Sequence, residues 1–200
     1  MRIRRVEQAV GLGLLALLAV HASRSEEGAW VLLWGCDLGA LEIAFGLLAG
    51  WHLPVAVGFL YLTATGLPSY FVGLLTATYE PTVTSVAIHL LPPLIGGFAV
   101  ARKGLPRHVA ALAIVLHAAV MAASLALPPA WMNVNWVRSV WPPLARFFSS
   151  TSLGYHALML AWLAVLFCAG EAMLRRLVRT PVAAAGESLR ARTAPASHPR

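Results

Sequence analysis

The chain has 200 residues, of which 59% are hydrophobic and only 12% charged, with a formal net charge of +7 and a mean hydropathy of +0.73. A soluble domain carries roughly twice that share of charge, so the composition argues against a soluble enzyme and places the chain in the membrane class. The basic residues stand between apolar blocks and form no single stripe. That argues against a nucleic-acid partner and fits topology signals and contacts with anionic lipid headgroups.

A helix needs about 20 apolar residues to span the hydrocarbon, and the period-2 alternation of a barrel is missing. The apolar runs predict an all-α polytopic membrane protein, six transmembrane helices in one bundle, over residues 6–22, 29–50, 53–75, 82–101, 108–127 and 154–174. The first run follows Arg2, Arg4 and Arg5 and has the outline of a signal peptide. Its end, His21-Ala22-Ser23, is a poor cleavage site, so a retained helix is expected. The third run is interrupted by Gly66-Leu67-Pro68, and the fourth carries Pro92-Pro93 and Gly96-Gly97. A longer connection, residues 128–153, precedes the last run. Residues 1–179 therefore read as one transmembrane domain. Residues 180–200, rich in Ala, Pro, Ser and Arg, read as a disordered cytoplasmic tail.

Charge sets the expected orientation. With the N-terminus inside, Arg2, Arg4, Arg5, Arg102, Lys103, Arg107, Arg175, Arg176 and Arg179 all face the cytoplasm. Only Arg24, Arg138 and Arg146 lie near outer helix ends, and Trp30, Trp34, Trp131, Trp136 and Trp141 gather there as an aromatic belt would. The expectation is a multi-pass protein of the cell membrane with both termini cytoplasmic. Cys36 and Cys168 fall at opposite faces, too far apart for a disulfide, and read as two free thiols.

Ionisable side chains inside a membrane span are costly and mark functional positions. Here they are Asp37 and Glu42 in the second run, His89 in the fourth, His117 in the fifth and Glu171 in the sixth. Cys36 shares a helical face with Gly39, Ala40, Ile43, Leu47 and Gly50, and His89 shares one with Thr82, Ser85, Pro92, Pro93 and Gly96. Small residues mark close helix approach, so both faces point inward. Each residue lies about seven positions inside the outer end of its helix, roughly 10 Å deep. A thiol and an imidazole at one depth can form a nucleophile–base pair. The bland alternatives are a thiol acting as a small hydrophobe and a hydrogen-bonded structural His. Asp37 can orient a partner on another helix, and Glu42 can pair with His117 as a polar relay. Glu171 and Arg175 have the i,i+4 spacing of an ion pair, while His52, His108 and His156 fit interfacial positions. The segment Trp131-Met132-Asn133-Val134-Asn135-Trp136 suits a loop at headgroup level. No phosphate-loop, zinc or haem-attachment motif is present, and neither metal nor cofactor is expected.

From Cys36-Asp37-Leu38-Gly39-Ala40 through His89 and the basic turn Arg102-Lys103-Gly104-Leu105-Pro106-Arg107 to Asn133-Val134-Asn135-Trp136, the chain resembles a known family. These are the bacterial six-helix integral membrane proteins related to the eukaryotic transmembrane acyltransferase of ether-type phospholipids. The resemblance covers about residues 34–142. It implies a catalytic pair at Cys36 and His89 and an acyl-enzyme mechanism on membrane lipids. Asn133 or Asn135 would supply the oxyanion donor that such a mechanism needs. Two other readings stay open: a proton- or solute-conducting transporter lined by Asp37, Glu42 and His117, and a non-catalytic membrane scaffold. Oligomeric state is not legible.

Overall fold

The computed structural model describes residues 2–76, 80–129, 131–133, 135, 137–141, 144–149 and 151–193, with side chains between 3 and 178. The described residues are helical throughout their regular structure. In order they form α1 (Arg2–Arg24), a 3-10 segment (Gly28–Leu33), α2 (Gly35–Ala49), α3 (His52–Tyr61), a π-helical turn (Leu62–Gly66), α4 (Leu67–Leu75), α5 (Val83–Lys103), α6 (Val109–Ala126) and α7 (Leu153–Thr193). Five helices are long and apolar enough to cross a membrane: Ile3–Arg24, His52–Leu75, Val83–Lys103, Val109–Ala126 and Leu153–Val178.

The second expected helix is the one that differs. Residues 29–50 do not form one helix but a 3-10 segment and a 15-residue α2, with Trp34 between them in extended conformation (ψ 138°). Gly28 enters the 3-10 segment at φ +58°, a conformation that favours glycine. At the break, a Cβ on Gly35 would lie 2.5 Å from the Tyr61 ring, so only glycine lets α3 come this close. Cys36 consequently sits in the first turn of α2 and not seven residues into a continuous helix.

The interruption expected at Gly66-Leu67-Pro68 is a π turn within a single span. Pro68 has no N–H for the carbonyl four residues back, and the turn widens just before it. Thr63 and Thr65 donate their hydroxyls to the carbonyls of Phe59 and Tyr61, both at 2.7 Å. The prolines of α5 break nothing, and that helix runs through Pro92 and Pro93 to Lys103.

α3 is the hub, buried at every residue from Val55 to Leu62. Its closest neighbour is α2. A Cβ on Gly58 would stand 2.3 Å from the Gly39 carbonyl oxygen, so the two backbones meet at this glycine pair. α1 adds Leu14 and Leu18 to the core, at 4% and 2% exposure. Large apolar side chains cover the outward faces, among them Leu94, Phe98 and Val115. That arrangement suits a lipid solvent.

Polar ties close both ends. At one end Glu7 pairs with Lys103 at 2.8 Å, and His52 Nε2 donates to the Gly104 carbonyl at 2.6 Å. Glu171 and Arg175 form the expected ion pair at 2.5 Å. They also hold the turn between α5 and α6: Arg175 donates to Leu105 and Pro106, and Glu171 accepts from the Ala110 amide. At the other end Arg138 donates to the carbonyls of Leu125, Pro128, Pro129 and Met132, tying the last turn of α6 to the chain that follows it. This arginine is engaged with backbone, whereas Trp30 and Trp131 stay exposed. Trp136 lies outside the described residues. The helix α7 covers the start of the tail expected from 180, and residues 194–200 again lie outside the described residues.

Candidate functional site

A cavity of about 1300 Å³ opens among the helices at the end that carries the 3-10 segment. Most binding pockets for small molecules hold about 300–1000 Å³, so this one has room for an amphiphile. Its walls are largely apolar: Pro68 and Val72 from α4, Leu158, Met159, Trp162 and Leu166 from α7. Leu158 and Trp162 are also half exposed on the outer surface, so this wall borders the lipid side.

The polar lining is drawn from several parts of the chain. His21 ends α1, Cys36 and Asp37 open α2, and Thr84, Ser85 and His89 come from the first two turns of α5. Tyr61 of α3 and His117 of α6 stand deeper and are hydrogen-bonded to each other. The expected residues Cys36, Asp37, His89, His117 and Asn135 thus line one cavity, including two imidazoles that the sequence places at different depths. The π turn contributes Thr65 and Gly66, and a Cβ at Gly66 would rest 3.5 Å from that of Cys36. Wide turns of this kind recur where a helix must adapt to a site.

The hydrogen bonds are not those of a joined Cys–His pair. Cys36 Sγ donates to Asp37 Oδ2 at 3.6 Å. His89 Nδ1 lies 2.8 Å from the Ser85 carbonyl, and its ring stacks on Tyr70 with centroids 3.8 Å apart and planes at 11°. A carbonyl only accepts, so the ring proton of neutral His89 is on Nδ1, and Nε2 keeps the basic lone pair. Asp37 is 2% exposed, and its other oxygen, Oδ1, is buried without a hydrogen bond. Facing that oxygen at 3.8 Å is His21 Nε2, whose Nδ1 is 3.0 Å from the Thr84 hydroxyl.

The two asparagines serve the loop. Asn135 accepts from the Gly35 amide at 3.0 Å and donates to the Leu33 carbonyl and the Ser124 hydroxyl, so both its amide protons are engaged. It fastens the connection to the backbone immediately before Cys36. Asn133 donates to Ser139 and accepts from the amides of Arg138 and Ser139, and it is not among the cavity's lining residues. Glu42 and His117 are not brought together. Glu42 lines a smaller surface depression with Leu38, Leu41, Phe45 and Trp51, while His117 is held by Tyr61. Cys36 and Cys168 are both free thiols. Among the described residues no three His, Cys, Asp or Glu side chains converge as a metal site.

His21, Tyr61 and Tyr70 are site residues that the sequence did not offer. His21 stands at the end of a run that also reads as a leader. The two tyrosines sit in apolar stretches where an aromatic ring reads as core.

Fold and cavity together define an all-helical, multi-pass type of chain with a polar floor in an apolar pocket. No family model matches it, and neither curated proteins nor solved structures include a significant match.

Proposed function

We propose that this chain is a six-pass protein of the cell membrane with both termini cytoplasmic, and that its cavity is an acyl-transfer site for membrane lipid esters. In this reading the 3-10 segment and α2 together make the sixth crossing. Their six and 15 residues give about 12 and 22 Å of rise, close to the hydrocarbon thickness of about 30 Å. The nine inward basic residues support the orientation.

The single observation carrying the site is the convergence of Cys36 and His89 on one large, mostly apolar cavity. Apolar walls bordering the lipid side suit acyl chains, and the polar floor suits an ester. In the first half-reaction the Cys36 sulfur bonds to the ester carbonyl carbon while its proton passes to His89 Nε2, through water where needed. The tetrahedral adduct then breaks its C–O bond. The alcohol leaves with the proton from His89, and an acyl thioester remains on Cys36. A second lipid hydroxyl, or water, gives its proton to His89 and takes the acyl group, and the thiol is restored. Tyr70 and the Ser85 carbonyl keep the His89 ring in orientation throughout.

The test is acyl exchange in proteoliposomes containing a fluorescent-acyl phospholipid and a lysophospholipid acceptor. The parent protein should move label to the acceptor, Cys36→Ala should lose all of it, and His89→Gln should lose at least about 100-fold, as expected for removing an acid–base group. Equal exchange by Cys36→Ala and the parent would overturn the proposal. The transporter alternative gains no support from the separation of Glu42 from the cavity.

A further inference from the structure

Asp37 poses a problem for a nucleophilic thiol. A carboxylate one hydrogen bond from Cys36 Sγ repels the thiolate that must form there. Buried as it is, that repulsion is poorly screened. We infer that His21 of α1 is a positioning residue of the thiol site, acting through Asp37 to hold the carboxylate and offset its charge. The inference rests on the reading of Cys36 as a nucleophile.

Three contacts carry it. His21 Nε2 faces Asp37 Oδ1 at 3.8 Å, within ion-pair range of a buried oxygen that has no hydrogen-bond partner. The Thr84 hydroxyl sits 3.0 Å from His21 Nδ1. When Thr84 donates, the proton of the neutral ring is on Nε2, pointing toward Asp37; a protonated ring points there equally. Asp37 Oδ2 in turn orients the thiol. The series Thr84–His21–Asp37–Cys36 therefore joins α5, α1 and α2 in one line along the cavity wall. The other titratable groups lining the cavity are Arg24, Glu26, Glu27 and Glu80, His89 from α5, Tyr61 and His117 from α3 and α6, and Tyr70 and Tyr155 from α4 and α7, and the Glu27 charge also acts on Asp37. None of them has a hydrogen bond to Asp37 Oδ1. The first helix, on this account, is part of the chemistry as well as of the core.

Alkylation of Cys36 by iodoacetamide reads the thiolate without any lipid substrate. It is measured on the full chain in detergent micelles, in a Cys168→Ala background, from pH 6 to 10. His21→Gln should slow labelling about tenfold at pH 7.5 and displace the labelling profile to higher pH. Thr84→Val, a gentler change, should slow it in the same direction by a smaller factor. In an Asp37→Asn background the carboxylate charge is gone, and adding His21→Gln should change the rate less than twofold. This non-additivity separates action through Asp37 from an independent effect. A His21→Gln profile superimposable on the parent would overturn the inference, as would the same tenfold loss in the Asp37→Asn background. If the profile shifts as stated while lipid acyl exchange is nil, the His21–Asp37 coupling stands and the proposed reaction falls.

Discussion

Gly58→Ala should unfold the bundle more readily than any change of its size suggests. The new Cβ would lie 2.3 Å from the Gly39 carbonyl oxygen, with the Glu42 Cβ and Ile43 Cγ1 at 3.0 Å. Backbone is what it meets first, so no rotamer change relieves the clash. The pair falls roughly 1 Å short of ordinary van der Waals contact, and α2 must move away from α3 by about that distance. Overpacking of this kind costs about 1–3 kcal/mol. The better helix propensity of alanine returns up to about 1 kcal/mol, leaving a net loss of up to about 2 kcal/mol, at most roughly 30-fold in the folding equilibrium. Gly13→Ala is the internal control, since nothing lies within 4 Å of its Cβ position, and it should be neutral or slightly stabilising. Thermal unfolding of the two variants in the same detergent decides the matter. Equal midpoints for Gly58→Ala and Gly13→Ala would refute the close approach of α2 and α3.

Three further expectations follow from contacts on other faces. Asn135→Ala removes the side-chain hydrogen bonds that hold Gly35 and Leu33 and places alanine at φ +54°; it should cost about 2–4 kcal/mol and increase proteolysis within residues 128–152. Arg175→Met should lower the thermal midpoint by the equivalent of about 1–3 kcal/mol, because the Leu105 and Pro106 carbonyls and Glu171 lose a shared donor. Ser69→Trp, which puts an indole into the cavity wall, should reduce binding of a fluorescent phospholipid at least tenfold while leaving the thermal midpoint within a few degrees of the parent.

The spans were legible because apolar length is nearly a sufficient signal in lipid, and the expected boundaries of the third, fourth and fifth helices agree with the structure to within two residues. The break at Trp34 was not, since 3-10 and α segments share nearly the same apolar spacing. At the break the Tyr61 ring packs against Gly35, a contact between residues 26 positions apart that no local pattern announces. Small-residue faces foretold the inward direction of Cys36 and His89, and both line the cavity. Their individual bonds were not legible. The sequence placed Ser85 on the His89 face but offered no sign that Tyr70 would stack on that ring, or that the thiol would turn to its own neighbour Asp37. Glu42, rotated about 120° from the Cys36 face, ended outside the cavity for the reason that rotation gives. His117 found a phenol in α3 instead, a partner hidden in an apolar run. His21 was the largest omission, because an imidazole at the end of a first apolar run has an interfacial explanation that needs no site.

Trapping the acyl intermediate tests the central claim most directly. The parent protein is incubated in proteoliposomes with a defined diacyl phospholipid, quenched in acid and weighed intact, before and after neutral hydroxylamine. The account predicts a mass increase of one acyl chain, located on the peptide containing Cys36, removed by hydroxylamine and missing in Cys36→Ala. An unmodified parent under turnover conditions, or the same adduct on Cys36→Ala, would contradict it.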